Sequence, residues 1–227
     1  MFSFVTSLLR LYRDWKEWYE HRQQKRGRFI AIEGVDGIGK STLARQLVDM
    51  FNEEEEESAV LWSFPRRNSS TGRVIDSYLK GNLPHLDPFE LHFLFVRNRA
   101  EVLPEIEVLL DAGKVIVCDR FWLSGAAYSI ARDLGDFEWC IANEHEEVKR
   151  IPNVTVLLDG IDVALKAKRK QKDEENEVTE TEYFMKKVAR IYNELFAKVK
   201  YPGKYIKIEL NEHINICKTV YDLINKE

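Results

Sequence analysis

The stretch Gly34-Val35-Asp36-Gly37-Ile38-Gly39-Lys40-Ser41-Thr42, set directly behind the apolar run Phe29-Ile30-Ala31-Ile32, constrains this chain more than any other. Glycines at 34, 37 and 39 let the backbone take positive φ and bring its N–H groups against a polyphosphate. A helix opening at Lys40 aims the positive end of its dipole at the same anion. Lys40 can reach the β and γ phosphates, and the Ser41 hydroxyl can hold Mg²⁺. A plain glycine turn before an ordinary helix accounts for neither the lysine nor the hydroxyl. Residues Gly34, Asp36, Gly37, Ile38, Gly39, Lys40, Ser41 and Thr42 therefore read as the cradle for a nucleoside triphosphate such as ATP, and the open question is where its terminal phosphate goes.

Four more apolar, β-rich runs follow at 59–64, 114–118, 154–158 and 205–208, which makes five strands. Helical patterns fill the gaps between them. Strands that read as continuous apolar runs and alternate with helices imply an α/β fold, a five-stranded parallel sheet flanked by helices on both faces. Thr42 to Phe51 reads as a helix, and the like-charge run Glu53 to Glu57 as a solvated connection. Asp87-Pro88-Phe89-Glu90 starts another helix, with Asp87 as N-cap and Glu90 placed for a capping box. That helix is expected to continue to about Asp111, kinked at Pro104. In an open parallel sheet the ligand crevice lies at the carboxyl ends of the strands, so the sites should follow residues 32, 64, 118 and 158.

The 227 residues suffice for one sizeable domain, and a net charge of −4 gives no general pull toward nucleic acid or an anionic membrane. A small-molecule enzyme is the expectation. Cys118, Cys140 and Cys217 lie far apart with no C-x-x-C spacing, which fits a reducing compartment, the cytoplasm, better than a disulfide framework. The five histidines never fall at metal-ligand spacing. The two Asn-x-Ser/Thr sequons at 68 and 153 count only in a secreted protein. Residues 1–27 form an amphipathic extension ahead of a domain over 28–227: Phe4, Leu8, Leu11, Trp15 and Trp18 recur at helical spacing among arginines and lysines. A helix packed on the body or on a second subunit is the plainest reading. A membrane-surface anchor and a mitochondrial-type targeting segment are the alternatives, the latter weakened by Asp14, Glu17 and Glu20.

At the strand ends, the second reads Phe64-Pro65-Arg66-Arg67 and the third Asp119-Arg120-Phe121, while the helix between them carries Phe95, Arg97 and Arg99. Arginines thus converge on one crevice. A guanidinium grips phosphate oxygens in bidentate fashion, so Arg67 and Arg120 are candidates to hold a second phosphate group facing the nucleotide. Asp119 closes an apolar strand as a Walker B acid does, where it would order Mg²⁺ or its waters. Taken alone, Phe95 and Tyr128 read as core residues and Arg99 as part of a solvated helix face.

Gly34-Val35-Asp36…Gly39-Lys40-Ser41, Phe64-Pro65-x-Arg67, His92-x-Leu94-Phe95-x-x-Asn98-Arg99-x-Glu101 and Asp119-Arg120-Phe121-x-x-Ser124-Gly125-x-x-Tyr128 together resemble thymidylate kinases. The resemblance spans most of residues 29–225 and implies a P-loop NTPase three-layer fold with a mobile helical lid, here at about 166–182. It also implies transfer of the ATP γ-phosphate to the 5′-phosphate of dTMP, giving dTDP and ADP, by a Mg²⁺-dependent homodimer. On that likeness Asp36 contacts the deoxyribose 3′-hydroxyl, and Arg67 and Arg120 the acceptor phosphate. Phe95 stacks on thymine, Arg99 hydrogen-bonds its edge, and Phe64, Ser124 and Tyr128 complete the sugar and base pocket.

Some family members carry a basic residue inside the phosphate loop where this chain has Gly37. The transferring phosphoryl group still needs a cation, and Lys166-Ala167-Lys168-Arg169-Lys170-Gln171-Lys172 is the obvious supplier, with Arg169 the candidate catalytic residue. The competing reading is a basic helix face paired with the acidic stretch 173–182. Val178 stands where a lid arginine is expected near Glu180. Arg66 is a further departure, and Glu209-Leu210-Asn211 takes the place of the family's adenine loop. Two other functions remain open at this point: a nucleoside or nucleoside-monophosphate kinase of different base preference, and a nucleotide-binding module that has lost catalysis.

Overall fold

The computed structural model describes residues 27–83, 86–148, 150–171, 181–198, 203–210 and 216–226. The extension 1–27 therefore lies outside the described residues except for Gly27, as does the stretch 172–180 of the expected lid. The five expected strands are present as β1 (Phe29–Glu33), β2 (Ala59–Ser63), β3 (Val115–Asp119), β4 (Val154–Asp159) and β5 (Lys204–Glu209). All pair in parallel, in the order β2-β3-β1-β4-β5. Every residue of β1 is fully buried although successive side chains point to opposite faces, so both faces of the sheet are covered.

Nine helices connect and cover the strands among the described residues: α1 (Lys40–Glu54), α2 (Ser70–Leu79), α3 (Pro88–Ala100), α4 (Leu103–Asp111), α5 (Trp122–Ala131), α6 (Phe137–Glu147), α7 (Ile161–Gln171), α8 (Glu182–Lys198) and α9 (Ile216–Asn225). α1 packs on β1, β2 and β3, and α8 on β4 and α5. The amphipathic spacing of α8 buries Met185, Val188, Ile191, Tyr192 and Leu195 along one stripe.

Two expectations need correction. The helix beginning at Asp87 has the capping box the sequence signals, with Asp87 accepting from the Phe89 and Glu90 N–H groups and Glu90 reaching back to the Asp87 N–H. It does not run on to Asp111 with a kink, however. Pro104 lacks an N–H and sits at the first turn of a separate helix, α4, so the chain breaks at Glu101-Val102. At the other correction, α1 extends to Glu54, so only the last part of the acidic run, Glu55 to Glu57, is a solvated turn.

The chain order reverses at β1, with β3 on one side and β4 on the other, which is where an open parallel sheet forms its crevice. The Phe64 N–H donates to the Asp119 carbonyl and the Arg120 N–H to the Ile32 carbonyl. Those bonds tie the ends of β1, β2 and β3 into one rim.

Candidate active site at the carboxyl edge of the sheet

The phosphate loop leaves β1 at Gly34 and enters α1 at Lys40. Gly37 and Gly39 have φ of 78° and 99°, a region that favours glycine. At Gly37 a side chain would also meet α7, since a Cβ there would lie 3.2 Å from the Ala164 carbonyl oxygen and 3.6 Å from Lys168 Cγ. Ile38 is buried and pins the loop to the core. Lys40 is buried too: its Nζ donates to the Val35 carbonyl at 2.6 Å and lies 3.9 Å from Asp36 Oδ1. Burial first and the Arg120 charge second drive the ammonium down to about 7, against the pull of Asp36, Asp119 and Glu33.

A cavity of about 960 Å³ opens over this loop. Its wall takes Asp36, Gly37, Gly39, Lys40, Ser41 and Thr42 from the loop and α1, Phe64, Arg66, Arg67, Asp119 and Arg120 from the strand ends, and Phe95, Arg99, Gly125 and Tyr128 from α3 and α5. Gly34 and Ile38 are not on its wall. Gly34 contributes instead its carbonyl, which accepts from Arg120 Nη1 at 3.2 Å.

Arg120 is the hub of this wall. It has a φ of 68°, a left-handed conformation that costs a non-glycine residue about 1–3 kcal/mol, and this turns its side chain back over the loop. Its Nη2 pairs with Asp36, and its Nη1 also reaches Ser124 Oγ at 3.1 Å and the Tyr192 hydroxyl at 3.4 Å. Desolvation alone would raise the Asp36 carboxyl, but Arg120, then Lys40 and Lys168, hold it well below the usual carboxylate range. The Tyr128 hydroxyl approaches the other Asp36 oxygen at 3.4 Å. Ser41 donates to Asp119 Oδ2, while the buried Asp119 Oδ1 has no hydrogen-bond partner among the described residues.

Arg67 lines the cavity, yet its Nη1 donates to Asp76 of α2 at 2.6 Å, and the side chain is 44% exposed. Arg66 stacks its guanidinium over Trp62 at 4.5 Å from the ring centroid, so its charge is partly spent on an aromatic face. Arg97 is exposed and does not join the cavity, contrary to the expected convergence. Arg99 is not on a solvated face: it is 2% exposed and makes a two-point ion pair with the equally buried Glu144 of α6.

A family model described as thymidylate kinase matches residues 32–218. This chain belongs to the thymidylate kinase family. It is 32% identical to the thymidylate kinase of Dictyostelium discoideum over 87% of this chain and 86% of that one. With the thymidylate kinase of Schizosaccharomyces pombe the identity is 37%, over 67% and 70% of the two chains. A putative thymidylate kinase of Invertebrate iridescent virus 6 is 36% identical across 60% of this chain and 62% of its own length. Among solved structures, the thymidylate kinase of Candida albicans matches with a TM-score of 0.68 at 25% identity, covering 88% of this chain and 91% of that one.

Within this family frame, the structure brings Asp36, Phe64, Arg67, Phe95, Arg99, Asp119, Arg120, Ser124 and Tyr128 to one cavity, together with Lys40 and Ser41. Arg169 is not among them. It is 69% exposed and paired with Glu182 at 3.1 Å, whereas the preceding residue, Lys168, lines the cavity. A single step along a helix turns a side chain by about 100°, which a basic run in the sequence does not reveal. Asn211 and the neighbours Val178 and Glu180 lie outside the described residues.

Several supporting residues were not signalled by the sequence reading. Glu33 ends β1 fully buried, accepting from the Phe121 N–H at 3.0 Å and from Ser124 Oγ, with the Tyr192 hydroxyl 3.4 Å away. Burial raises its carboxyl, and bonds from Ser124 and the Arg120 charge only partly oppose this. Asn98 accepts from the Arg66 N–H at 2.7 Å and donates to Ser69, Thr71 and Glu101, so it fastens the turn that carries Arg67. A signal for it was available: Asn98 and Glu101 stand in the same motif as Arg99.

Proposed function

We propose that this chain is a Mg²⁺-dependent thymidylate kinase that transfers the ATP γ-phosphate to the 5′-phosphate of dTMP, giving dTDP and ADP. The observation that carries this reading is the shared cavity: the phosphate loop, two arginines of the strand ends and an aromatic wall with an arginine behind it face one space. The loop and Lys40 would receive the ATP phosphates. Arg120 and Arg67 would grip the acceptor phosphate, with Asp36 toward the acceptor sugar and Phe95 and Arg99 at the base. Phosphoryl transfer of this kind depends mainly on positioning and on charge placed where it develops. Cations held on the wall of one cavity suit that need.

The donor set fits a hard cation. Asp119 offers one carboxylate oxygen with no partner among the described residues, beside a hydroxyl at Ser41, and oxygen ligands of this type suit Mg²⁺. When bound, the ion would neutralise charge on the β and γ phosphates.

We further read Lys168, rather than Arg169, as the cation that offsets the uncharged loop position at Gly37. Its stem packs where a side chain at 37 would grow, and its charge already acts on Asp36. The helix α7 that carries it begins the lid expected at 166–182. A homodimer remains the expected assembly, since family members pair through helices, and the exposed Phe89 and Phe93 of α3 are available to such a contact. Among the described residues no helix is long and apolar enough to cross a membrane. The cytoplasm is the compartment we favour.

The test is a coupled assay of ADP release over dTMP, dUMP, dCMP and dGMP, with Mg²⁺ and after its chelation. Fastest turnover of dTMP, abolished by chelation and restored by Mg²⁺, is the expected result. Faster turnover of another base would replace the acceptor assignment, and no monophosphate-dependent ADP release would return the chain to a binding module.

A further inference from the structure

Arg99 and Glu144 form a buried ion pair at the cavity wall, with the arginine on α3 and the carboxylate on α6. The pair is side-on. Nε donates to Oε2 at 3.1 Å and Nη2 donates to Oε1. A guanidinium has five N–H groups in a planar fork, so this contact uses the Nε edge and leaves the two Nη1 hydrogens and one on Nη2. No acceptor is recorded for Nη1 among the described residues, while Arg99 itself lines the cavity.

The third wall of this corner is Gly125 of α5. A Cβ there would stand 2.7 Å from Arg99 Nη2 and 3.1 Å from Glu144 Oε1. The glycine therefore lets the ion pair lie directly against a helix backbone, and α3, α5 and α6 pack on one another around it. Any freedom of the guanidinium to rotate is removed on three sides.

We propose that Glu144 is the positioning residue for base selection: by taking the Nε edge of Arg99 and offsetting its charge within the pair, it leaves directed N–H groups that donate to a ring carbonyl and do not attract a phosphate. This rests on the reading of Arg99 as the residue at the base edge. The physical need is plain. A bare buried guanidinium here would form a second anion site and let a nucleoside monophosphate bind with its phosphate at the wrong end. Paired with Glu144, Arg99 adds no net charge to the base end. The field that draws the phosphate then comes from cations elsewhere on the wall, Lys40, Arg120, Arg67 and Lys168 among them, which fixes the orientation of the acceptor.

The decisive comparison is wild type against Glu144→Gln, which keeps shape and one acceptor but removes the charge. Turnover of dTMP and of dCMP, whose ring carries an amino group in place of one carbonyl, is measured with ATP. Calorimetric binding of dTMP and of inorganic phosphate is measured beside it. In the variant, the preference for dTMP over dCMP should fall about tenfold through KM, and phosphate should bind about tenfold more tightly at the dTMP site. The KM for ATP should change by less than about twofold, because among the described residues no hydrogen bond or ion pair joins the pair to the phosphate loop.

Unchanged base preference and unchanged phosphate binding, with a lowered melting temperature, would make Glu144 purely structural and overturn the proposal. Should Glu144→Gln fail to fold, Gly125→Ala keeps both charges and displaces the pair, and the same two readouts decide. A wild type that binds dTMP but shows no dTMP-dependent turnover would refute the kinase reading alone. The ratio of dTMP to phosphate affinity, compared across the variants, would still support or overturn the role of Glu144.

Discussion

Lys40 and Arg99 are buried and Arg120 nearly so, with 16% of its side chain exposed, whereas Arg67 and Arg169 are exposed, and the two groups hold their charges in different ways. Each cation of the first group has an acceptor within the cavity wall or behind it: the Val35 carbonyl for Lys40, Asp36 for Arg120, Glu144 for Arg99. Taking a charge out of water costs several kcal/mol unless it is paired, so these contacts are settled when the chain folds. The exposed arginines lean on the half-buried Asp76 and the exposed Glu182, and water competes for each of these arginines. The buried group can therefore act on a phosphoryl group without rearranging. The exposed group has to leave one partner to take another.

The largest effect should separate Arg120 from Arg67. Arg120→Ala removes a fixed cation from the cavity wall and leaves Asp36 with only Lys40 and Lys168 to offset its charge. It should lower kcat by about 10²–10³-fold, the scale seen when one preorganised donor at a developing charge is lost. Arg67→Ala should act mainly on binding, raising the KM for dTMP by about tenfold, because part of what Arg67 gives the substrate is offset by the Asp76 contact it gives up. Steady-state kinetics of both variants, with circular dichroism to confirm folding, would test this. Equal losses of kcat would erase the distinction between fixed and exchangeable cations.

A smaller effect should sharpen the comparison within α7. Lys168 lies against Gly37 and faces the cavity, while Arg169 faces solvent and Glu182. Lys168→Met is expected to lower kcat by about tenfold, and Arg169→Met by less than about threefold, in keeping with a surface pair. The reverse order would assign the transferring phosphoryl group to Arg169 in place of Lys168.

This contrast also marks what the sequence could show. The strands, the phosphate loop and the cap at Asp87 are local patterns, written in residues within a few positions of one another, and all are present in the fold. The parallel sheet and the crevice at its carboxyl edge follow from them by general rules of topology. Partners distant in the chain were not legible. Nothing near Arg99 points to Glu144, and Glu33 reads as the polar end of a strand until its contacts with Ser124 and Phe121 are seen. The basic run 166–172 announced a cation without its phase, so Arg169 was favoured where Lys168 faces the cavity. The break at Glu101-Val102 was missed for a related reason: a proline in a helical pattern signals either a kink or a new first turn, and only packing decides between them.

His92 supplies the smallest predicted effect and the most direct test of the rule that buried charge in this cavity needs a carboxylate. It is 4% exposed, its Nδ1 lies 2.7 Å from Ser129 Oγ, and its ring packs against Trp139 and Phe93 with no acid beside it. Burial first and the Arg99 charge second push it down to about 4 from its ordinary 6.5. The folded form therefore keeps His92 neutral where the unfolded chain would protonate it, and stability contributed by the neutral ring is complete above about pH 6.5 and is lost as pH falls toward about 4. At about pH 5.5 the loss should be about 1.4 kcal/mol relative to neutral pH, read as a lower urea midpoint. His92→Gln, which cannot titrate, should show a shallower decline over the same interval. Parallel declines for the two proteins would mean that His92 finds a counter-charge in the folded state, and the division between paired charges and neutral groups in this cavity would fail at the residue where it is simplest to measure.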